Sequence, residues 1–224
     1  MKNLFLSICI IVICCSSVFG EDSINGNLTF KVNKKFLWVP DEETIEESKK
    51  EVILKKEKFA EVTLPGKLYD LSKEIKDTTN KKVDRSTPEG LVASYFSANK
   101  VGDFKWILSN FHDDDKEEIT KTFSSEKALE ITKNAAKTIT AIHLTGFANY
   151  KDYTLLFVKQ NFKQGNNITE ALACKKTEDG WKLTNSLSDD KTFDIVFAAI
   201  RDGKVLDSTK TKATILKPEA RFIR

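Results

Sequence analysis

His143 is one of two side chains whose type and setting could supply acid–base chemistry. It lies in a segment that alternates apolar and polar residues, on the strand face predicted to carry Ile139 and Phe147. There an imidazole could act as a general base at the mouth of a cavity. The alternative is a half-buried histidine held by an ordinary hydrogen bond.

Glu170 is the second such side chain. If its strand is regular, Glu170 shares a face with Ile168 and Leu172. A carboxyl group among apolar neighbours has a raised pKa and could act as a base. A bulge or a solvated sheet edge would instead place this carboxyl group outside the protein.

Other catalytic patterns are missing from the sequence. His112 and His143 are its only histidines, which excludes a multi-histidine metal site. We interpret His112 with Asp113–Asp115 as a loop at a helix end. The sequence holds no serine-nucleophile elbow, phosphate-binding loop or dinucleotide fingerprint. We therefore expect neither a metal nor a cofactor.

The charge pattern argues against a nucleic-acid partner. The chain has 36 lysines and arginines against 33 aspartates and glutamates, a formal net charge of +3. The two signs are mixed along the sequence, whereas a nucleic-acid-binding domain usually shows a basic stripe. Mixed charge of this kind is typical of a solvated surface.

The N-terminus has the layout of a cleavable secretory signal. Lys2 precedes an apolar run, Leu4–Cys15, which is shorter than the ~20 residues that a membrane-spanning helix needs. Short and small residues then lead to an expected cleavage site between Gly20 and Glu21. We expect an exported protein, secreted or periplasmic, and no later stretch predicts a transmembrane segment.

The cysteines bear on the same export prediction. A bacterial lipoprotein has a small residue before its modified cysteine, whereas Cys14 follows Ile13 and Cys15 follows Cys14. Lipid anchoring is therefore the less favoured alternative. After cleavage only Cys174 remains, so no internal disulfide can form, and an apolar core must stabilise the fold.

Changes in composition divide the sequence into five parts. These are a signal peptide (1–20), an N-terminal segment (21–75), a polar linker (76–87), a compact domain (88–203) and a basic tail (204–224). The N-terminal segment is either a small subdomain or an extended arm. Its patterns predict strands at 28–32 and 59–64, the second ended by Pro65–Gly66, and a helix at 42–50.

The compact domain begins with helical patterns and continues with strand patterns. Thr87–Pro88 is typical of a helix start, and Phe104 begins an apolar stripe at helical spacing. After Lys137 the period changes to two. The predicted later elements are strands at 138–149, 153–162 and 168–175, a turn at 178–180, a strand from Trp181, and a helix capped by Asp189 or Asp190. This order predicts an α+β fold, with three N-terminal helices on one face of a curved antiparallel sheet and a C-terminal helix.

Several of these motifs resemble the nuclear transport factor 2-like superfamily, which includes SnoaL-like proteins and ketosteroid isomerase. The resemblance rests on Thr87–Gly90, Tyr95–Phe96, Val101–Phe104, Phe111 and Glu178–Leu183, and it covers residues 87–187. It implies a cystatin-like cone of bent sheet wrapped by helices, with an open cavity. The motifs are more specific for this fold than for any function.

The comparison with ketosteroid isomerase gives one further candidate. Tyr95 falls where the isomerase has its oxyanion-hole tyrosine, although a buried core tyrosine is the alternative. The aspartate base of the isomerase would fall near Ile119, which cannot take a proton. An oxyanion donor without a base does not complete that chemistry.

Three hypotheses follow for function. The first is a non-catalytic module that binds a small apolar ligand or a protein partner. The second is a SnoaL- or isomerase-like enzyme whose pocket is lined by Tyr95, His143 and Glu170. The third is an interaction domain whose cavity is filled by the N-terminal segment. By analogy with the superfamily, the chain is also predicted to form a homodimer.

Overall fold

A computed structural model describes residues 26–33, 37, 59–202 and 204–210. The predicted signal peptide, its cleavage site at Gly20–Glu21 and the predicted helix at 42–50 lie outside the described residues. So does the part of the predicted tail after Lys210.

The described residues form seven strands and five α-helices in an α+β arrangement. The strands are β1 (Asn27–Asn33), β2 (Phe59–Ile75), β3 (Ile139–Tyr150), β4 (Tyr153–Phe162), β5 (Asn167–Thr177), β6 (Gly180–Leu183) and β7 (Val205–Asp207). The helices are α1 (Pro88–Val101), α2 (Phe104–Ser109), α3 (Lys116–Thr122), α4 (Glu126–Ala136) and α5 (Lys191–Asp202). Short 3-10 turns lie at Asn80–Lys82 and Asp113–Asp115.

One antiparallel sheet in the order β6-β5-β4-β3-β2-β1-β7 separates two hydrophobic cores. The first core lies between the sheet and the helices that precede β3, and it includes Leu156 and Val158 of β4. The second lies between the sheet and α5, and it includes Leu155 and Phe157 of the same strand. Side chains alternate across a strand, so β4 contributes to both cores. Helices therefore cover both faces of the sheet rather than one.

The N-terminal segment contributes two strands to this sheet. The strand β2 pairs with β1 as far as Pro65, opposite Asn27, and then pairs with β3 from Gly66, opposite Ala148. Pro65–Gly66, predicted to end the strand, instead marks the change of partner. A Cβ atom at Gly66 would lie 2.5 Å from the backbone oxygen of Phe147, so only glycine allows this close approach.

The predicted linker and the start of the predicted tail are also packed into the domain. The amide of Thr78 donates to Ser97 Oγ at 2.9 Å, and Trp181 N donates to the carbonyl oxygen of Arg85 at 2.7 Å. At the other end, β7 pairs with Leu28–Phe30 of β1. The domain therefore extends in both directions beyond residues 88–203.

Four helices, rather than three, precede β3. The N-cap of α1 is as expected, because Thr87 Oγ1 accepts from Gly90 N at 3.1 Å. The helical stretch between Lys116 and Ala136 is interrupted after Thr122, where Phe123 leaves helical geometry, so it forms two helices. Ser125 then caps α4 by accepting from Ala128 N at 3.1 Å.

A buried polar network that the sequence did not reveal joins α1 and α2. Asn110 is fully buried, and its Oδ1 accepts from Arg85 Nε at 2.9 Å and from Ser94 Oγ. Ser94 Oγ also accepts from Trp106 Nε1 at 2.9 Å, which satisfies the indole of a tryptophan that is 3% exposed. Trp106 is therefore a core residue, although it lies off the apolar stripe seen in the sequence.

Candidate functional site

An open cavity of about 410 Å³ lies where α3, α5 and the outer edge of β5 meet. Its lining comprises Tyr95, Phe111, Ile119, Thr122, Phe123, Glu170, Ala171, Leu172, Ala173, Leu183, Thr184, Asn185, Leu187, Ser188, Phe193 and Phe197. Most of these side chains are apolar, and five are aromatic. A volume of this size falls in the range of small-molecule sites.

The short strand β6 creates the space for this cavity. It pairs with β5 only from Cys174, opposite Leu183, to Thr177, opposite Gly180. Residues of β5 before Cys174 pair with β4 on one side and have no described strand on the other. The chain turns away after Leu183, where Thr184 N donates to Ala173 O at 3.0 Å. The cavity therefore lies along the outer edge of β5.

Tyr95 reaches the cavity from α1. Its ring packs edge-on against Phe96 and Phe111, with ring centroids 5.1 and 5.8 Å away. Burial, together with the negative charge of Glu170, raises the pKa of Tyr95 to about 12. Tyr95 is therefore a neutral phenol at physiological pH, able to donate or accept a hydrogen bond.

Glu170 reaches the same cavity from β5. It lies opposite Val158 of β4 on the face of the first core, and Gln160 Nε2 donates to its Oε1. Burial raises the pKa of the Glu170 carboxyl to about 7, and no charged neighbour contributes to this shift. The carboxyl group is thus poised to gain or lose a proton near neutral pH.

His143 does not join these two side chains. Register shifts between Ile139 and Ala141 and between Leu144 and Gly146 interrupt the alternation of β3. Ile139 and Phe147 therefore lie in the first core together with Ile142 and Leu144, whereas His143 faces the other way.

The surroundings of His143 are polar. It pairs with Glu74 of β2 and Lys159 of β4, and its Nδ1 lies 3.5 Å from Ser72 Oγ. The prediction that His143 shares a pocket with Tyr95 and Glu170 is wrong, because it assumed a strand without bulges.

Ile119 is part of the cavity wall. It is buried at 6% exposure on α3 and lies among the lining residues. The resemblance places the aspartate base of ketosteroid isomerase near this position, where this protein has an apolar side chain instead. Any proton acceptor in this cavity is therefore Glu170, from a different element of the fold.

Sequence reasoning missed the hydrogen-bond partner of Glu170 and two parts of the cavity wall. Gln160 continues the inward alternation of Leu156 and Val158, a signal that could have identified it beside Glu170. Phe193 and Phe197 lie one helical turn apart on α5, a spacing that by itself predicts only an apolar helix face. The polar wall at 184–188 lies in a loop, and its sequence carries no pattern that predicts a site.

No cation site or membrane-crossing helix is found in the part of the chain that the structure describes. There, no group of three or more histidine, cysteine, aspartate or glutamate side chains is placed to hold a metal ion. None of the described helices has the length and apolarity that crossing a bilayer requires.

Comparisons with known proteins give two partial structural likenesses. A SEC-C motif containing protein from Rhodopseudomonas palustris has a TM-score of 0.36 at 13% identity, over 47% of this chain and 80% of its own. A "Putative NTF2-like transpeptidase" from Campylobacter jejuni has a TM-score of 0.34 at 18% identity, over 44% of this chain and 98% of its own. No protein-family model and no curated protein matches the sequence.

Proposed function

We propose that this protein binds a small, largely apolar molecule in the cavity between α3, α5 and the edge of β5. The observation that carries the proposal is that Tyr95 and Glu170 present polar groups to one cavity whose other walls are mostly apolar. Ligand sites are typically apolar with a few convergent polar groups that fix orientation. In this protein the aromatic walls supply contact area, and the hydroxyl and carboxyl groups orient the ligand.

The sequence further supports export of this binding protein. We propose cleavage between Gly20 and Glu21, which predicts that the protein purified from its own host begins at Glu21. An intact-mass measurement that finds residues 1–20 still attached would contradict this.

The motifs within residues 87–187 support membership of the nuclear transport factor 2-like superfamily. A homodimer stays a prediction from that resemblance.

The binding proposal is tested by calorimetric titration with 4-phenylbutan-1-ol, which has an aromatic body and one neutral polar group. We expect saturable binding by the wild-type protein and a loss of at least about tenfold in affinity in Thr122→Trp. Thr122 is exposed at the rim of the cavity, so an indole there occupies the entrance without disturbing the core. Thr120→Trp is the matched control, since Thr120 is exposed on the same helix away from the cavity. Equal affinity in both variants would place binding elsewhere.

An enzyme is the second candidate, and the raised pKa of Glu170 favours it. A carboxylate with a pKa of about 7 beside a neutral phenol could remove a proton next to a carbonyl group while Tyr95 stabilises the oxyanion. We would then expect the protein to accelerate deuterium exchange at the carbons beside the carbonyl of 4-phenylbutan-2-one, followed by NMR. Equal exchange rates with the wild-type protein and Glu170→Gln would exclude this role.

A further inference from the structure

The cavity is lined by a negatively charged side chain and by no positively charged one. Of its lining residues only Glu170 carries a charge near neutral pH, and no lysine, arginine or histidine is among them. Tyr95, the other ionisable lining residue, is neutral there. A ligand with a negative group would therefore meet repulsion and no counter-ion, whereas a positive group would meet its partner.

Within the described residues, the Glu170 carboxylate has too few hydrogen-bond donors and no positively charged partner to offset the cost of its burial. Gln160 Nε2 donates to one of its oxygens, and no described residue donates to the other or forms an ion pair with Glu170. An ionised carboxylate in an apolar site is costly unless a cation and hydrogen bonds satisfy it. A bound cation with N–H donors would supply both.

The aromatic walls favour the same kind of ligand. Phe111 packs against Tyr95, and Phe193 packs against Phe197 with ring centroids 6.2 Å apart. Aromatic faces attract ammonium groups through their quadrupole and also accept an apolar body. Acidic and aromatic groups thus line a single cavity that has no basic side chain.

We propose that the ligand is a small primary amine, whose ammonium group pairs with the Glu170 carboxylate while its apolar body packs on the aromatic walls. This inference rests on the proposed function, since it names the class of molecule that the cavity selects. The ammonium donates to the free oxygen of Glu170, and the phenol of Tyr95 accepts a further hydrogen bond from the same ammonium group.

Three probes with one body and different head groups test this inference at pH 8. They are 4-phenylbutan-1-amine, 4-phenylbutan-1-ol and 4-phenylbutanoate, each titrated into the wild-type protein, Glu170→Gln and Glu178→Gln. We expect the amine to bind at least about tenfold tighter than the alcohol, and the carboxylate to bind most weakly. In Glu170→Gln the amine loses its advantage and binds within about twofold of the alcohol, and dispersed amide resonances show that the variant is folded. Glu178, exposed in the turn after β5, is the matched control and keeps the preference for the amine.

The other outcomes separate the two proposals. If the three probes bind equally, or if Glu170→Gln keeps the preference for the amine, the amine inference is overturned while the binding cavity stands. If none of the three binds to the wild-type protein, both the amine inference and the proposed function fail.

Discussion

The Glu170→Gln variant is expected to be more stable than the wild-type protein at pH 8, by up to about 3 kcal/mol. Burial raises the pKa of this carboxyl from its ordinary value of 4.5 to about 7 in the folded protein. At pH 8 the wild-type protein must hold an ionised carboxylate in an apolar site, whereas a glutamine there is neutral. The glutamine side chain also keeps an oxygen that can accept the hydrogen bond from Gln160 Nε2.

Because burial raises the pKa of Glu170 in the folded protein, the stability that this residue contributes decreases as the pH rises. Between pH 4.5 and about 7 the folded protein retains a proton on Glu170 that the unfolded chain has already released. The contribution of Glu170 to the free energy of unfolding of the wild-type protein therefore falls through this window and is lowest above it. Below pH 4.5 the carboxyl is neutral in both states, so the two proteins should have similar stability.

Urea unfolding of both proteins at pH 4, 6 and 8 measures this difference directly. The advantage of Glu170→Gln should grow with pH, while Glu178→Gln, an exposed substitution in the following turn, should track the wild-type protein at each pH. A constant offset between Glu170→Gln and the wild-type protein would mean that Glu170 does not titrate within the fold.

A chain that begins at Lys76 is expected not to fold. It lacks β1 and β2, so β3 loses its neighbour in the middle of the sheet. The second core loses five buried side chains, from Leu28, Phe30, Val32, Leu64 and Leu68. At roughly 2 kcal/mol each, their loss removes about 10 kcal/mol, comparable with the whole stability of a typical domain.

This expectation is checked by comparing residues 76–224 with residues 21–224. The longer chain should give dispersed amide resonances in a proton–nitrogen NMR spectrum and cooperative unfolding, and the shorter chain should give neither. If the chain of residues 76–224 folds, the domain is instead complete without the N-terminal segment.

Local patterns predicted most of the individual elements. Alternation at Leu28, Phe30 and Val32 predicted β1, and the hydroxyl of Thr87 before Pro88 predicted the start of α1. The strand from Tyr153 to Phe162 has the predicted bounds. These features depend on neighbours along the chain, and they can therefore be read from the sequence.

Features that depend on distant parts of the chain were not predictable in this way. The pairing of β2 with β3 joins segments about 80 residues apart, as in Gly66 with Ala148, and no local pattern specifies it. The bulges of β3 leave little trace in the sequence, yet they turn His143 away from the cavity. Glu170 was correctly placed on a face with Leu172 because β5 is regular there.

If a ligand occupies the cavity between α3, α5 and β5, an NMR titration with 4-phenylbutan-1-amine should detect it at the residues that line this cavity. The amide resonances of Tyr95, Glu170 and Phe197 should move in a saturable way, because these residues line the cavity on three separate elements. The resonance of His143, which lies on β3 and is not among the lining residues, should stay in place. Shifts centred on His143 and Ser72, or no saturable shift at any of the cavity residues, would show that the ligand does not occupy this cavity.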